Sequence, residues 1–293
     1  MNINKVESKE NAPEQVFLGS LFGDGSLSKM GGKYLYYCET HSLKQKDYLL
    51  WKMRLMSKNL NFANSPYYFN MYDKRTGKYY FYVKINSSDS GKLKEYYEGF
   101  YKNNKKIIPK DFLFRLDKFG LAIWYQDDGN YQYGRKSSFI ATYRFTYKEH
   151  LLIQKFLKER YSINSNIFYK EDGYYIQFDM ENTEKFLQTI QDYIHKSMVY
   201  KLGHLDSSND DRIRKAKEVI SKNKKEYRRK HKEEIIAYQK EYRKKNIKKI
   251  ALYNKIYWIK NKEKIRKNKK GWYKLNRNQI LKRRKLVKLK NGR

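Results

Sequence analysis

The chain has 293 residues, of which 66 are Lys or Arg and 31 are Asp or Glu, a net charge of +35; an excess this large points to a polyanionic partner, nucleic acid above all. The single cysteine, Cys38, excludes an internal disulfide framework and a Cys/His zinc pattern. The polar stretch 1–11 lacks the apolar segment of a signal peptide, and no run approaches the roughly 20 apolar residues of a membrane span, so a soluble, intracellular protein is expected, with organelle, bacterium and phage all open as its source.

In chain order, the first informative segment is an apolar helical run, Phe17-Leu18-Gly19-Ser20-Leu21-Phe22-Gly23-Asp24-Gly25. It ends by setting a carboxylate where the helix dipole disfavours one. A strand is predicted at 33–39, with Cys38 as a buried position. An amphipathic helix follows at 43–59, carrying Tyr48, Leu49, Met53 and Met56 at helical spacing. Aromatic strands at 66–72 and 79–85 flank a turn at 74–77. A helix at 89–101 takes Ser87 or Ser88 as its cap.

A second apolar run, Leu121-Ala122-Ile123-Trp124-Tyr125-Gln126-Asp127-Asp128-Gly129, places its Asp-Gly step 104 positions after the first. The order then repeats: a strand at 137–145, a helix at 147–161, strands at 166–169 and 174–178 joined through Glu171-Asp172-Gly173, and a helix at 181–195. The predicted fold class is α+β, with two helix/antiparallel-sheet halves, 12–104 and 105–203, related by a pseudo-twofold axis. The motif helices are expected to pack at that axis, where Gly19, Ser20, Gly23, Gly120 and Ala122 let backbones approach. One helix ending in aspartate is unremarkable as a pattern; two in one chain suggest carboxylates gathered to share a cation.

The paired segments resemble the dodecapeptide motifs of the LAGLIDADG homing endonucleases in their single-chain, two-motif form. Lys105-Lys106-Ile107-Ile108-Pro109 and Met198-Val199-Tyr200-Lys201-Leu202 resemble the family's flanking segments. The resemblance covers about residues 12–203. It implies a saddle-shaped fold and metal-dependent cleavage of both strands of a long duplex DNA site by a monomer, leaving short 3′ overhangs. It assigns the metal to Asp24 and Asp128, which would share two or three Mg²⁺ ions; Asp127 ranks behind them as a ligand. Lys106 and Lys201, each just after the last helix of its half, would lie beside the scissile phosphates. Gln126 is a further polar group near the axis. DNA would be read by the strand faces, with Tyr68, Asn70, Tyr72, Lys74, Arg75, Lys84, Arg135, Lys136, Ser138, Arg144, Lys170 and Gln177 as candidates. Two other readings stay open: an intron maturase that uses the same fold on RNA, and a DNA-binding regulator with an inert site.

The rest of the chain has a different character. Residues 212–293 hold 34 Lys+Arg and 6 Asp+Glu, a net of +28, against +7 for the 211 residues before them. A linker is expected at 204–224, around the polar run 206–211. From 225 a 15-residue period sets in. An aromatic recurs at Tyr227, Tyr242, Tyr257 and Trp272, a polar residue at His231, Asn246, Asn261 and Asn276, and isoleucine at Ile235, Ile250, Ile265 and Ile280. The spacing is helical, with the stripe drifting about 60° per repeat. The period leaves two forms open, short helical hairpins broken at the asparagines or one long helix. The composition predicts a mostly helical accessory nucleic-acid arm over 225–293, with Lys230, Lys245 and Lys260 among its cations and the four aromatics interleaved.

Overall fold

The computed structural model describes residues 10–31, 34–63, 65–88, 90–170 and 173–290, with side chains described as far as residue 282. The chain forms two units, Met1–Ile220 and Ser221–Arg293.

The first unit is built around two central helices. Helix α1 (Ala12–Phe22) is buried on every side apart from Glu14, as its all-round apolar sequence requires. Its counterpart α5 (Lys118–Asp128) starts where the Asp117 carboxylate accepts from the N–H groups of Phe119 and Gly120 at 2.8 and 2.9 Å. The two helices pack tightly: a Cβ on Gly19 would lie 2.4 Å from the Gly120 carbonyl oxygen and 2.7 Å from the Ile123 Cβ. Only glycine fits at position 19 while this crossing is kept.

Each central helix feeds a four-stranded antiparallel sheet of the same strand order. The first is β1-β2-β4-β3, from β1 (Ser26–Met30), β2 (Tyr34–Ser42), β3 (Tyr67–Asp73) and β4 (Lys78–Asn86). The second is β7-β8-β10-β9, from β7 (Gly129–Gln132), β8 (Ser137–Ile140), β9 (Asn166–Lys170) and β10 (Gly173–Phe178). Helices α2 (Lys46–Met56) and α3 (Leu93–Phe100) cover the first sheet. Helices α6 (Tyr147–Tyr161) and α7 (Met180–Ile190) cover the second. A small hairpin, β5 (Tyr101–Lys102) with β6 (Lys105–Lys106), and the short helix α4 (Lys110–Arg115) join the halves. The fold is thus the predicted α+β pair of matching halves.

The differences have local causes. Strands β1 and β7 were not expected, because each buries few apolar side chains: Leu27 in the first, Tyr131 in the second. Strand β8 stops at Ile140, since 141–145 turn toward the Thr146 capping box that starts α6. Neither Ser87 nor Ser88 caps α3: the Ser87 hydroxyl accepts from the Tyr37 N–H at 2.9 Å, and the Ser88 N–H donates to Asn61. Helix α7 ends at Ile190, and tight 3-10 turns carry the chain through Gln191–Tyr193 and Lys196–Leu205. Cys38 lies on β2 as expected but is half-buried on the outer face, its sulfur 3.1 Å from the Ser26 hydroxyl. Glu171 and Asp172 of the expected turn lie outside the described residues.

The segment 204–224 is not an open linker. Buried Asn209 donates to the carbonyls of Val199 and Gly203, both at 3.0 Å, and helix α8 (Asp210–Lys230) begins at once. Asp210 and Asp211 sit in its first turn, where the helix dipole favours them. In the second unit the chain stays helical through α9 (Lys232–Lys245) and α10 (Ile247–Lys290). Among the described residues of this unit the backbone leaves helical geometry at His231 (φ −107, ψ 26) and Asn246 (φ −112, ψ 16), while Asn261 and Asn276 lie inside α10. The predicted mostly helical extension is observed, and among the described residues the asparagines do not divide it into hairpins.

Candidate active site

Asp24 lies just beyond the end of α1, and Asp128 is the last residue of α5. Both line one cleft of about 780 Å³, together with Lys106 and Arg144. The Asp24 side chain is exposed. Asp128 is half-buried, and among the described residues no hydrogen bond reaches its carboxylate. Burial pushes the Asp128 carboxyl up to about 8, with Asp24 and Asp127 adding to the shift. A half-buried carboxylate that faces a second carboxylate, with no donor among the described residues, suits a hard divalent cation, which takes few protein oxygens and completes its shell with water and phosphate.

The two lysines take matching places at the C-terminal ends of the central helices. Lys106, on β6, donates to the carbonyls of Gly23 (3.1 Å) and Gly25 (2.9 Å). Lys201 donates to those of Gln126 and Asp127, the latter at 3.2 Å. Each ammonium thus satisfies carbonyls that the helix end leaves open. Burial lowers both lysines to about 8, against the pull of the nearby aspartates. Lys201 is not among the residues lining the cleft. Gln126 is structural: its amide donates to the Ala122 and Tyr193 carbonyls and accepts from the His195 N–H.

Asp127 points the other way, into a buried ionic network that sequence reading missed. The Lys52 ammonium, fully buried, donates to both Asp127 oxygens (2.8 and 3.0 Å) and to Glu39. The Glu39 carboxylate also accepts from Tyr37 (2.6 Å) and pairs with His41 (2.7 Å), and Tyr48 donates to Asp127 at 2.9 Å. Burial opposes charge on Glu39, yet Lys52 and His41 outweigh it and hold its carboxyl well below the ordinary range. Asp24, His41 and Asp127 bring possible ligand atoms within 4.8 Å of one another. Asp127 is paired with Lys52, and His41 pairs with Glu39 while its Nε2 also lies 3.8 Å from the Asp24 carboxylate, so Asp24 is the carboxylate of this set that opens on the cleft. The signal was present: Lys52 is four residues from both Tyr48 and Met56, on the buried face of α2, and Glu39 and His41 alternate with the outward residues of β2.

The matched family model is the LAGLIDADG DNA endonuclease family, over residues 14–186. The chain belongs to this family. It is 31% identical over 217 residues to a cytochrome b mRNA maturase, bI2, of Debaryomyces hansenii, covering 70% of this chain and 78% of that one. It is 34% identical over 114 residues to the intron-encoded endonuclease ai4 of Dictyostelium discoideum, covering 38% of this chain and 70% of that one. In fold it is similar to the homing endonuclease I-WcaI bound to its DNA recognition sequence, with a TM-score of 0.59 and 21% identity over 65% of this chain and 85% of that one.

In this LAGLIDADG chain, each sheet keeps one face toward the helices and leaves the other open. The register separates the candidate readers. Lys84 pairs with Tyr67 on the open face of the first sheet; Lys170 and Gln177 lie on the open face of the second. Lys74 and Arg75 sit in the exposed β3–β4 turn, and Arg135 and Lys136 in the exposed β7–β8 turn. Arg144 is exposed at the cleft. Tyr68, Asn70 and Tyr72 pair with Val83, Phe81 and Tyr79, which puts them on the helix side of the sheet, exposed only because β3 and the outer half of β4 project past the core. Ser138 is a correction: it is fully buried on the core face, its N–H donating to Thr183, so it has no surface to offer DNA. The open face of the first sheet instead presents Tyr67, Met71 and Tyr80, with Phe69 stacked on Tyr82.

The raised Asp128 carboxyl has a measurable consequence. In the metal-free protein the folded chain holds this proton more tightly than the unfolded chain, where the group has its ordinary value of 3.8. Its contribution to stability therefore falls as pH rises from about 4 to about 8 and stays low above that. In EDTA, Asp128→Asn is expected to melt higher than the parent at pH about 8 and level with it at pH about 4. Excess Mg²⁺ at the higher pH is expected to raise the parent's midpoint and move the variant's less.

Proposed function

We propose that this protein is a site-specific double-strand DNA endonuclease that works as a monomer. The observation that carries this reading is the convergence of Asp24 and Asp128, one from each half, on one cleft that Lys106 and Arg144 also line. Asp24 and Asp128 would hold Mg²⁺, which when bound activates water and stabilises the leaving oxygen of a phosphodiester. Lys106 and Lys201 fix the two helix ends that carry the aspartates, so the carboxylates are held in place before DNA arrives. Arg144 offers an exposed guanidinium to a phosphate at the mouth of the cleft. Lys84, Lys170 and Gln177 on the open sheet faces, with Lys74, Arg75, Arg135 and Lys136 in the turns, would contact the duplex over a long site. Hydrolysis on each strand, offset across the minor groove, would leave short 3′ overhangs.

A second reading is supported by the similarity to the bI2 maturase: RNA binding in intron splicing on the same fold. The metal-ready carboxylates favour the nuclease, since an RNA-binding role gives Asp128 no reason to stay unpaired in a cleft. The test is cleavage of a randomised duplex library, with Mg²⁺ and with EDTA, followed by sequencing of the ends. Mg²⁺-dependent ends at one extended sequence are expected. No cut product, together with tight and selective binding of a structured intron RNA, would move the assignment to the maturase.

A further inference from the structure

The second unit carries 30 Lys+Arg and 5 Asp+Glu over Ser221–Arg293, a net of +25. A second copy would bring an equal positive charge, so the complementary occupant of this surface is a polyanion. Helical segments rich in lysine, asparagine and aromatics have three ways to hold nucleic acid: amides that read base edges, rings that stack on bases, and cations that pair with phosphates. The geometry decides between them.

One N–H of each repeating amide is tied to its own helix. Asn246, Asn261 and Asn276 each donate their side-chain N–H to the carbonyl of the aromatic four residues earlier, Tyr242, Tyr257 and Trp272, at 2.9, 2.9 and 2.8 Å. Bidentate reading of adenine needs the amide oxygen and the NH₂ group together. His231, at the same point of the first repeat, stacks on Tyr227 with ring centroids 4.3 Å apart and bonds Glu234. Several rings are also engaged along the helix. Tyr238 stacks with Tyr242, Tyr253 with Tyr257, and Lys262 lies over the Trp258 ring. The cations remain. Lysines outnumber arginines 22 to 8 in this unit, and no arginine recurs through all four repeats. Lysine binds phosphate as a point charge and lacks the planar fork with which arginine reads guanine. The net charge per repeat rises along the chain, from +2 over 225–239 to +5, +6 and +6 over the next three.

Resting on the endonuclease reading, we infer that the extension is a sequence-blind phosphate-binding arm for duplex DNA, in which the repeated asparagines are latches of the helix rather than readers of bases, and the three distal repeats supply most of the attraction.

The test uses the full chain. Affinities are measured across a salt series for the duplex recovered from cleavage selection, a scrambled duplex of equal length, and an RNA hairpin. In one variant Lys255, Lys260, Lys262, Lys264, Lys267 and Lys269 become Gln; in a second, Asn261→Ala and Asn276→Ala are combined. The lysine variant should lose about tenfold or more in affinity for both duplexes by the same factor, with a salt slope shallower by up to about 5. The asparagine variant should keep the ratio of target to scrambled binding. A fall in that ratio for either variant would mean that the arm reads sequence. Unchanged duplex binding, with or without a loss on the RNA hairpin, would remove duplex DNA as the occupant. The scrambled duplex needs no cleavage, so failure of the arm is separable from failure of the nuclease reading, which appears as an uncut library with the parent chain.

Discussion

Asp128→Asn is expected to abolish cleavage while leaving affinity for the target duplex within a few-fold of the parent, and Asp24→Asn to do the same. An amide keeps the shape of the carboxylate and removes the charge that a hard cation requires. Losing the metal's contribution at such a step is expected to cost several orders of magnitude in single-turnover rate. The informative comparison is Asp127→Asn. Sequence alone offers Asp127 and Asp128 as adjacent carboxylates at the same helix end. The structure separates them: Asp128 faces the cleft without a donor, while Asp127 is held by Lys52 and Tyr48. An amide at 127 keeps an oxygen for the Lys52 ammonium, so Asp127→Asn is expected to cut DNA at a rate within about tenfold of the parent. Rapid-quench assays with both strands labelled would read all three variants. Robust cleavage by Asp128→Asn, or a dead Asp127→Asn that folds normally, would reverse the assignment of the two residues.

The parts of this molecule legible in the sequence were those written in apolar periodicity and repetition. The central helices, the doubled order of elements and the 15-residue period all follow from spacing. The meeting of Asp24 and Asp128 in one cleft was legible because an apolar helix ending in a carboxylate is an electrostatic oddity that occurs twice. Buried charge was not legible. Lys52 occupies a core position of α2, yet among 66 basic residues nothing in its type marks it, and its partners come from β2 and from the other half of the fold. The face of each strand was also hidden at β3, where both faces carry tyrosines and only pairing with Val83 tells which side meets the helices. Residues 206–211 read as a linker by composition because acidic, polar runs serve equally as helix starts; Asn209's bonds to the core decide the case.

Lys52→Met is expected to be strongly destabilising although it leaves the cleft's own residues intact. Methionine matches the lysine stem in volume, so packing around Tyr48 is kept and the change isolates the charge. The ammonium is buried between Glu39 and Asp127, one from each half. Without it, two carboxylates face each other in the core with His41 as their remaining cation, and each must ionise uncompensated or bind a proton. Breaking one side of such a pair costs about 3–5 kcal/mol, a large share of the stability of an ordinary domain. Chemical denaturation should find that loss at neutral pH. It should shrink when Glu39→Gln and Asp127→Asn are added, because the triple variant removes both carboxylates that the single one leaves without their ammonium. This recovery distinguishes electrostatic stress from a packing defect, which the added amides would leave unrepaired. A Lys52→Met protein as stable as the parent would mean that the network is neutralised by some other route. The triple variant carries a further consequence for function: Asp24 and Asp128 are untouched, so it is expected to regain cleavage along with its fold.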